Sequence, residues 1–173
     1  MNERNYDFRL RHWEFHKPGR RDPSRKLRKN EVMITPEWSI GVAPDCDYIT
    51  ETAARDFRDY LEKSMDISLR IVHADAPKVL WIEHSPKIDK GFVIEAEEDH
   101  IRVAAAEDRM TLRGTIHLED IMNLEGIPAV RCGKVVRKPL YKVRIVHSGT
   151  GLDVYPDAEL MALLHAGYDS IQV

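Results

Sequence analysis

The sequence predicts an α+β fold: a small mixed sheet packed by two helices, followed by a single strand, helix, strand unit. Three observations carry this. Two apolar stripes at helical spacing flank four extended stretches between Trp38 and Asn123. Two of those stretches place apolar residues at every second position, as a sheet with one buried face requires. The last third of the chain then changes to a βαβ pattern, the crossover unit of a parallel sheet.

The chain has 173 residues, 43% of them hydrophobic and 32% charged, which fits one domain or one small domain plus part of a second. Residues 1–30 hold ten Lys or Arg against four acids, a net charge of +6, and the rest of the chain carries −9 within a total of −3. That overall balance argues against a dedicated nucleic-acid binder, whose domain is strongly basic. With the breakers Pro18-Gly19 and Asp22-Pro23, residues 1–30 read as a basic, solvated N-terminal arm, with contact to an anionic surface as the alternative. Arg9, Arg11, Trp13 and Phe15 alternate charged and aromatic character and also offer a short added strand.

From Glu31 a compact unit begins. Trp38 to Val42 reads as a strand ended by Pro44 and Asp45. A helix follows, capped by Thr50 or Thr52, with Ala53, Ala54, Phe57, Tyr60, Leu61 and Met65 on its apolar stripe. Arg55, Asp56, Arg58, Asp59, Glu62 and Lys63 fill its wet face. Extended stretches are predicted at Ile67 to His73, Val79 to Glu83, Phe92 to Ala96 and Ile101 to Ala105, the last two joined by a polar hairpin at Glu97, Glu98 and Asp99. A second helix runs from about Met110 to Asn123 and stops at Glu125-Gly126. Its adjacent acids Glu119 and Asp120 point about 100° apart and read as a solvated face.

Tyr141 to Val146 then reads as a strand, His147 to Gly151 as a loop, Pro156 to His165 as a helix stopped by Gly167, and Tyr168 to Val173 as a strand. Parallel strands normally lie inside larger sheets covered on both faces. A lone βαβ unit leaves an open edge. The expectation is a truncated piece of something longer, with another chain or domain covering that edge as the other solution.

Cys46 and Cys132 build no disulfide framework and are expected to be inert buried thiols. The opening MNERNYDFRLRHWEF has no signal-peptide core and no run approaches a membrane span, so a cytoplasmic location and no membrane partner are expected. No metal or cofactor is expected: His73, Asp75 and His84 have no zinc-ligand spacing around them. His117 reads as a packed or surface histidine rather than a base.

The order of these elements resembles glycoside hydrolase family 20 and its relatives. Two local matches carry the resemblance. Arg113-Gly114-Thr-Ile-His-Leu118 is similar to that family's glycine-containing helix packed on the sheet, and Pro139-Leu-Tyr-Lys-Val-Arg144 to its entry into the first barrel strand. After the basic arm over residues 1–30, the resemblance implies an α+β accessory domain over 31–138 and the first βαβ of a truncated (β/α)8 barrel over 139–173. It also implies a hydrolase of carbohydrate metabolism in which Arg144 holds hydroxyls of a terminal sugar. The sequence departs from the family at Met110 and Ile145, where glycine is common. The catalytic acidic pair of that family lies on a later strand, so no catalytic residue is assigned here.

In a barrel, His147 and Ser148 lie at the C-terminal end of a strand, the face where such enzymes build their sites, and become candidate sugar ligands beside Arg144. A glycine-rich turn without a ligand is the plainer reading. Two further readings stay open. One is a self-contained interaction or homodimerisation module using the basic arm and open edge. The other is an anion or nucleotide binder at residues 147–151, although the spacing is not that of a P-loop.

Overall fold

A computed structural model describes residues 7–148 and 155–173. The chain runs α1 (Asp7–Trp13), β1 (Glu31–Met33), β2 (Ser39–Val42), α2 (Tyr48–Met65), β3 (Arg70–Val72), β4 (Val79–His84), β5 (Phe92–Ala96), β6 (His100–Ala105), α3 (Asp108–Glu125), β7 (Ala129–Arg131), β8 (Gly133–Arg137), β9 (Ile145–His147), α4 (Asp157–His165) and β10 (Ser170–Gln172). These divide into two compact units: Pro18–Pro139, and Leu140–Val173 together with the N-terminal helix. The fold is α+β.

In the larger unit six strands form one mixed sheet in the order β3-β2-β4-β6-β5-β8. β2, β3, β4 and β6 run parallel, while β5 runs against both β6 and β8. The expected hairpin joins β5 to β6, closed by Glu97 N–H donating to His100 C=O at 2.8 Å. Residues of even strand period face α2 and α3: Ile40, Leu80, Ile82, Ile101 and Val103 are all fully buried against Phe57, Leu61, Leu118 and Met122. Burial of such side chains is the main stabilising term, on the order of 1.5–3 kcal/mol each.

α2 starts at Asp47 rather than at either predicted threonine. The Asp47 side chain accepts from Thr50 N–H (2.8 Å) and from Thr50 Oγ1 (2.6 Å), so Thr50 is a donor to the cap. The helix ends at Asp66 in left-handed geometry (φ 57°). α3 ends at Gly126 with φ 66°, the conformation that favours glycine, as the sequence predicts. Midway along α3, a Cβ built on Gly114 would lie 2.5 Å from Val103 Cγ1, so the missing side chain lets the helix approach β6.

Several expectations are corrected. Asp56 is buried rather than on the wet face of α2, and Glu119 is buried rather than solvated. Arg9, Arg11 and Trp13 lie in α1, not in an added strand. Residues 18–30 are not a free arm: Asp22 N–H donates to Gly126 C=O (2.8 Å) and Arg25 bridges Glu31 (2.8 Å) and Glu125 (3.0 Å). Strand β1 pairs antiparallel with β7, a ribbon the sequence does not signal. Cys132 is exposed, whereas Cys46 is half-buried and its thiol pKa is pushed up by that burial and by Glu51, Asp47 and Asp45. Among the described residues no helix is long and apolar enough to cross a membrane.

In the smaller unit β9 and β10 pair in parallel, Ile145 opposite Ser170 and His147 opposite Gln172, with α4 as the crossover. Pairing begins only at Ile145, so the strand is shorter than the predicted Tyr141 to Val146, and β10 is shorter than Tyr168 to Val173. α4 packs with α1. The segment after α1 stacks Phe15 on His165, centroids 4.4 Å apart.

Candidate functional site

The strand, helix, strand unit positions the predicted sugar ligands. Arg144 precedes β9, and its backbone N–H donates to Asp169 Oδ2 at 2.9 Å. Its Nε lies 3.5 Å from the same oxygen. In return the Arg144 carbonyl accepts from the Asp169 and Ser170 amides at 2.8 and 3.3 Å. These contacts staple the start of β9 to the start of β10. The Arg144 side chain is 46% exposed and that of Asp169 only 8%, so the arginine rises out of the staple toward solvent. Sequence reasoning missed Asp169, whose signal is an acid placed just before a strand that follows a helix.

His147 closes β9 at the other end and is exposed. Ser148 follows, its N–H donating to Gln172 C=O at 2.8 Å. Parallel pairing puts Ser148 and Gln172 at the C-terminal end of both strands. Arg144 stands three residues before His147, about 10 Å of extended chain away. The structure therefore brings His147 and Ser148 together at one end of the strand pair and sets Arg144 at the opposite end. Gly149, Thr150 and Gly151 of the loop lie outside the described residues.

The larger unit holds chemistry the sequence did not reveal. On the sheet face opposite the helices, Trp81 Nε1 donates to Glu83 (3.1 Å), Arg102 donates to Glu83 (2.5 and 2.9 Å) and to Glu95 (2.8 Å), and Lys134 pairs with Glu95 (2.7 Å). The Lys134 and Arg102 hydrogen bonds hold the Glu95 carboxyl below the usual range. On the helix side, desolvation and then the neighbouring Asp56, Asp120 and Asp59 push the Glu119 carboxyl well above it.

His117 packs against Phe92, centroids 5.5 Å apart, and burial followed by the Arg137 charge lowers its pKa. It is a packed histidine, as expected. His12 and His16 do have the His-x-x-x-His spacing that metal sites use on helices. α1 ends at Trp13, however, so no helix carries both rings on one face, and His12 is exposed while His16 is buried.

No protein-family model and no curated protein matches the chain. Solved structures do. The GH20 β-N-acetylhexosaminidase from Streptomyces coelicolor A3(2) is 17% identical with a TM-score of 0.55, over 68% of this chain and 25% of that one. The GH20 exo-β-N-acetylglucosaminidase from Vibrio harveyi, in complex with N-acetylglucosamine, is 13% identical with a TM-score of 0.57, over 84% and 23%. A GH84 protein is 12% identical with a TM-score of 0.56, over 79% and 26%. The chain thus spans about a quarter of each of these structures. At such identity the likeness is one of fold, and the fold of this chain is one found in GH20-type glycoside hydrolase structures.

Proposed function

We propose that the chain is the non-catalytic front portion of a carbohydrate-active, glycoside-hydrolase-like protein. Residues 31–138 form its accessory domain, and residues 139–173 the opening strand, helix and strand of a (β/α)8 barrel. The observation that carries this reading is the parallel β9–β10 pair joined by α4, standing after a separate α+β unit. A two-stranded parallel sheet leaves Ile145 (54% exposed) and Leu160 (38%) facing solvent. Adding further βα units to the edge would bury such residues and satisfy the strand.

In that protein the loop end of β9 presents His147 and Ser148 to a sugar. At the opposite end of β9, Arg144, steadied by Asp169 through Nε and its amide, offers its terminal nitrogens to hydroxyls at a second contact. A charged fork can take two hydroxyls at fixed geometry, which suits recognition of one ring. In that protein the two carboxyl groups that glycoside hydrolysis needs would come from later barrel strands.

The test is to read the gene beyond the codon for Val173 and to weigh the protein from its source. A frame continuing into βα repeats with an adjacent acidic pair at a strand end is the expected result. A stop codon with a native mass of 20.0 kDa would overturn the barrel reading. In the complete protein, Arg144→Ala should weaken sugar affinity about tenfold or more while leaving the fold intact. Equal affinity with the fold intact removes Arg144 from the site.

A further inference from the structure

The helix-free face of the six-stranded sheet carries one row of residues in register: Gly41, Trp81, Arg102, Glu95 and Lys134. Trp81 lies across Gly41, where any Cβ would collide with the six-membered part of the indole. The absent side chain gives the ring a flat bed on β2. Beside it, Arg102 is locked between Glu83 and Glu95, and Lys134 closes the row. The Arg102, Glu95 and Lys134 end of this row also lines a groove of ≈ 480 Å³, together with Ala96, Glu97, His100 and Gly133.

We propose that this groove, with the Trp81 platform beside it, binds a carbohydrate chain at a site separate from Arg144. The chemistry selects the ligand class. Arg102 and Lys134 are already matched by Glu83 and Glu95, so an anionic ligand has to break a formed ion pair before it gains its own. An uncharged polyol does not. Its hydroxyls donate to Glu97 and accept from His100 and Lys134, while a sugar's apolar ring face covers the half-buried indole. The ion pairs hold the platform rigid, which lowers the ordering cost of binding. This site stands on residues 18–139 alone and survives if the barrel reading fails.

The full 173-residue chain, labelled with nitrogen-15, is titrated with the β-1,4-linked hexamers of N-acetylglucosamine and of glucose. Binding of one hexamer in the millimolar range, with shifts concentrated at the Trp81 indole, His100 and Lys134, is the expected result. Trp81→Ala should weaken it about tenfold, and Lys63→Ala, on the exposed face of α2 across the sheet, should leave it unchanged. His100→Ala, on the groove rim, should weaken it several-fold and serves if the tryptophan variant fails to fold. Absence of any shift at about 10 mM hexamer overturns the proposal. So do shifts confined to residues 140–173, which would favour the Arg144 site instead, and shifts on this face that follow protein concentration rather than sugar.

Discussion

Asp56 on α2 and Glu119 on α3 bring carboxylate oxygens within 4.8 Å of each other in the buried region between the two helices. Glu119 is 3% exposed. Desolvation and the nearby acids raise its folded-state pKa above that of the unfolded chain. The folded state then binds the Glu119 proton more tightly. Stability is full below the unfolded carboxyl pKa and falls as pH rises through the folded one. Glu119→Gln keeps the shape and removes the titration. Its melting temperature should match the wild type near pH 4 and exceed it near pH 8. The gain there is about 1–3 kcal/mol, the scale of a buried polar group relieved of its penalty. A constant difference across that range would show that Glu119 does not titrate differently on folding.

Gly114 faces Val103 across the helix and sheet contact. In an exposed helix, Gly→Ala stabilises by about 1 kcal/mol. Here the new Cβ would sit 2.5 Å from Val103 Cγ1, and Phe92 lies at 3.6 Å, so α3 has to lift or a side chain has to leave its rotamer. Overpacking of this kind costs about 1–3 kcal/mol. Gly114→Ala should therefore lower the midpoint of denaturant unfolding, and Gly114→Ala with Val103→Ala should recover part of the loss. A more stable single variant would mean that the contact yields freely.

Much of this fold was legible because its elements are strongly patterned. The Phe92 to Ala96 and Ile101 to Ala105 hairpin announces itself by strict alternation, and Gly126 by its place after an apolar stripe. What escaped was set by partners remote in sequence. β1 pairs with β7 about a hundred residues later, and neither three-residue strand is long enough to show a period. Asp56 and Glu119 look like wet-face residues on helical wheels, because each helix is covered on more than one side. His147 and Ser148 lie at the end of β9, where the apolar pattern of the strand gives way to the glycine-rich segment. The Arg144 contact with Asp169 was not foreseen, because it depends on register across the crossover. The Trp81 row needs five strands aligned before it exists at all.

Arg25 reaches both Glu31 and Glu125, and Arg28 reaches the same two acids, fixing residues 18–30 to β1 and the end of α3. Hydrogen bonds from Arg25 and then Arg28 hold the Glu125 carboxyl below its usual value. Burial works the other way at Glu31, yet the Arg28 amide and the Arg25 guanidinium outweigh it. Depressed folded-state values mean that this contribution is present above the unfolded carboxyl pKa and lost on acidification through the folded ones. Glu31→Gln and Glu125→Gln together should lower the melting temperature at pH 7 and leave little difference near pH 3. Proteolysis at Arg25 to Lys29 should quicken in the same variant, since the segment loses its anchor. Unchanged cleavage at pH 7 would mean that the Asp22 to Gly126 backbone bond holds the segment without the ion pairs.

Asp169 accepts the Arg144 amide at 2.9 Å while its own amide binds the Arg144 carbonyl, so one residue pair sets the register of β9 on β10. The Arg144 side chain is 46% exposed, and its ion pair is screened, so the charge contributes little. The backbone bond matters more, at about 1 kcal/mol. Asp169→Asn retains an acceptor for the amide and should protect the Ile145 to His147 amides from hydrogen exchange nearly as well as the wild type. Asp169→Ala removes the acceptor and should speed exchange at those amides about fivefold, while the amides of β4 and β6 in the larger unit stay unchanged. Loss of protection in both variants would assign the staple to the charge. Loss in neither would assign the register to the β-ladder alone.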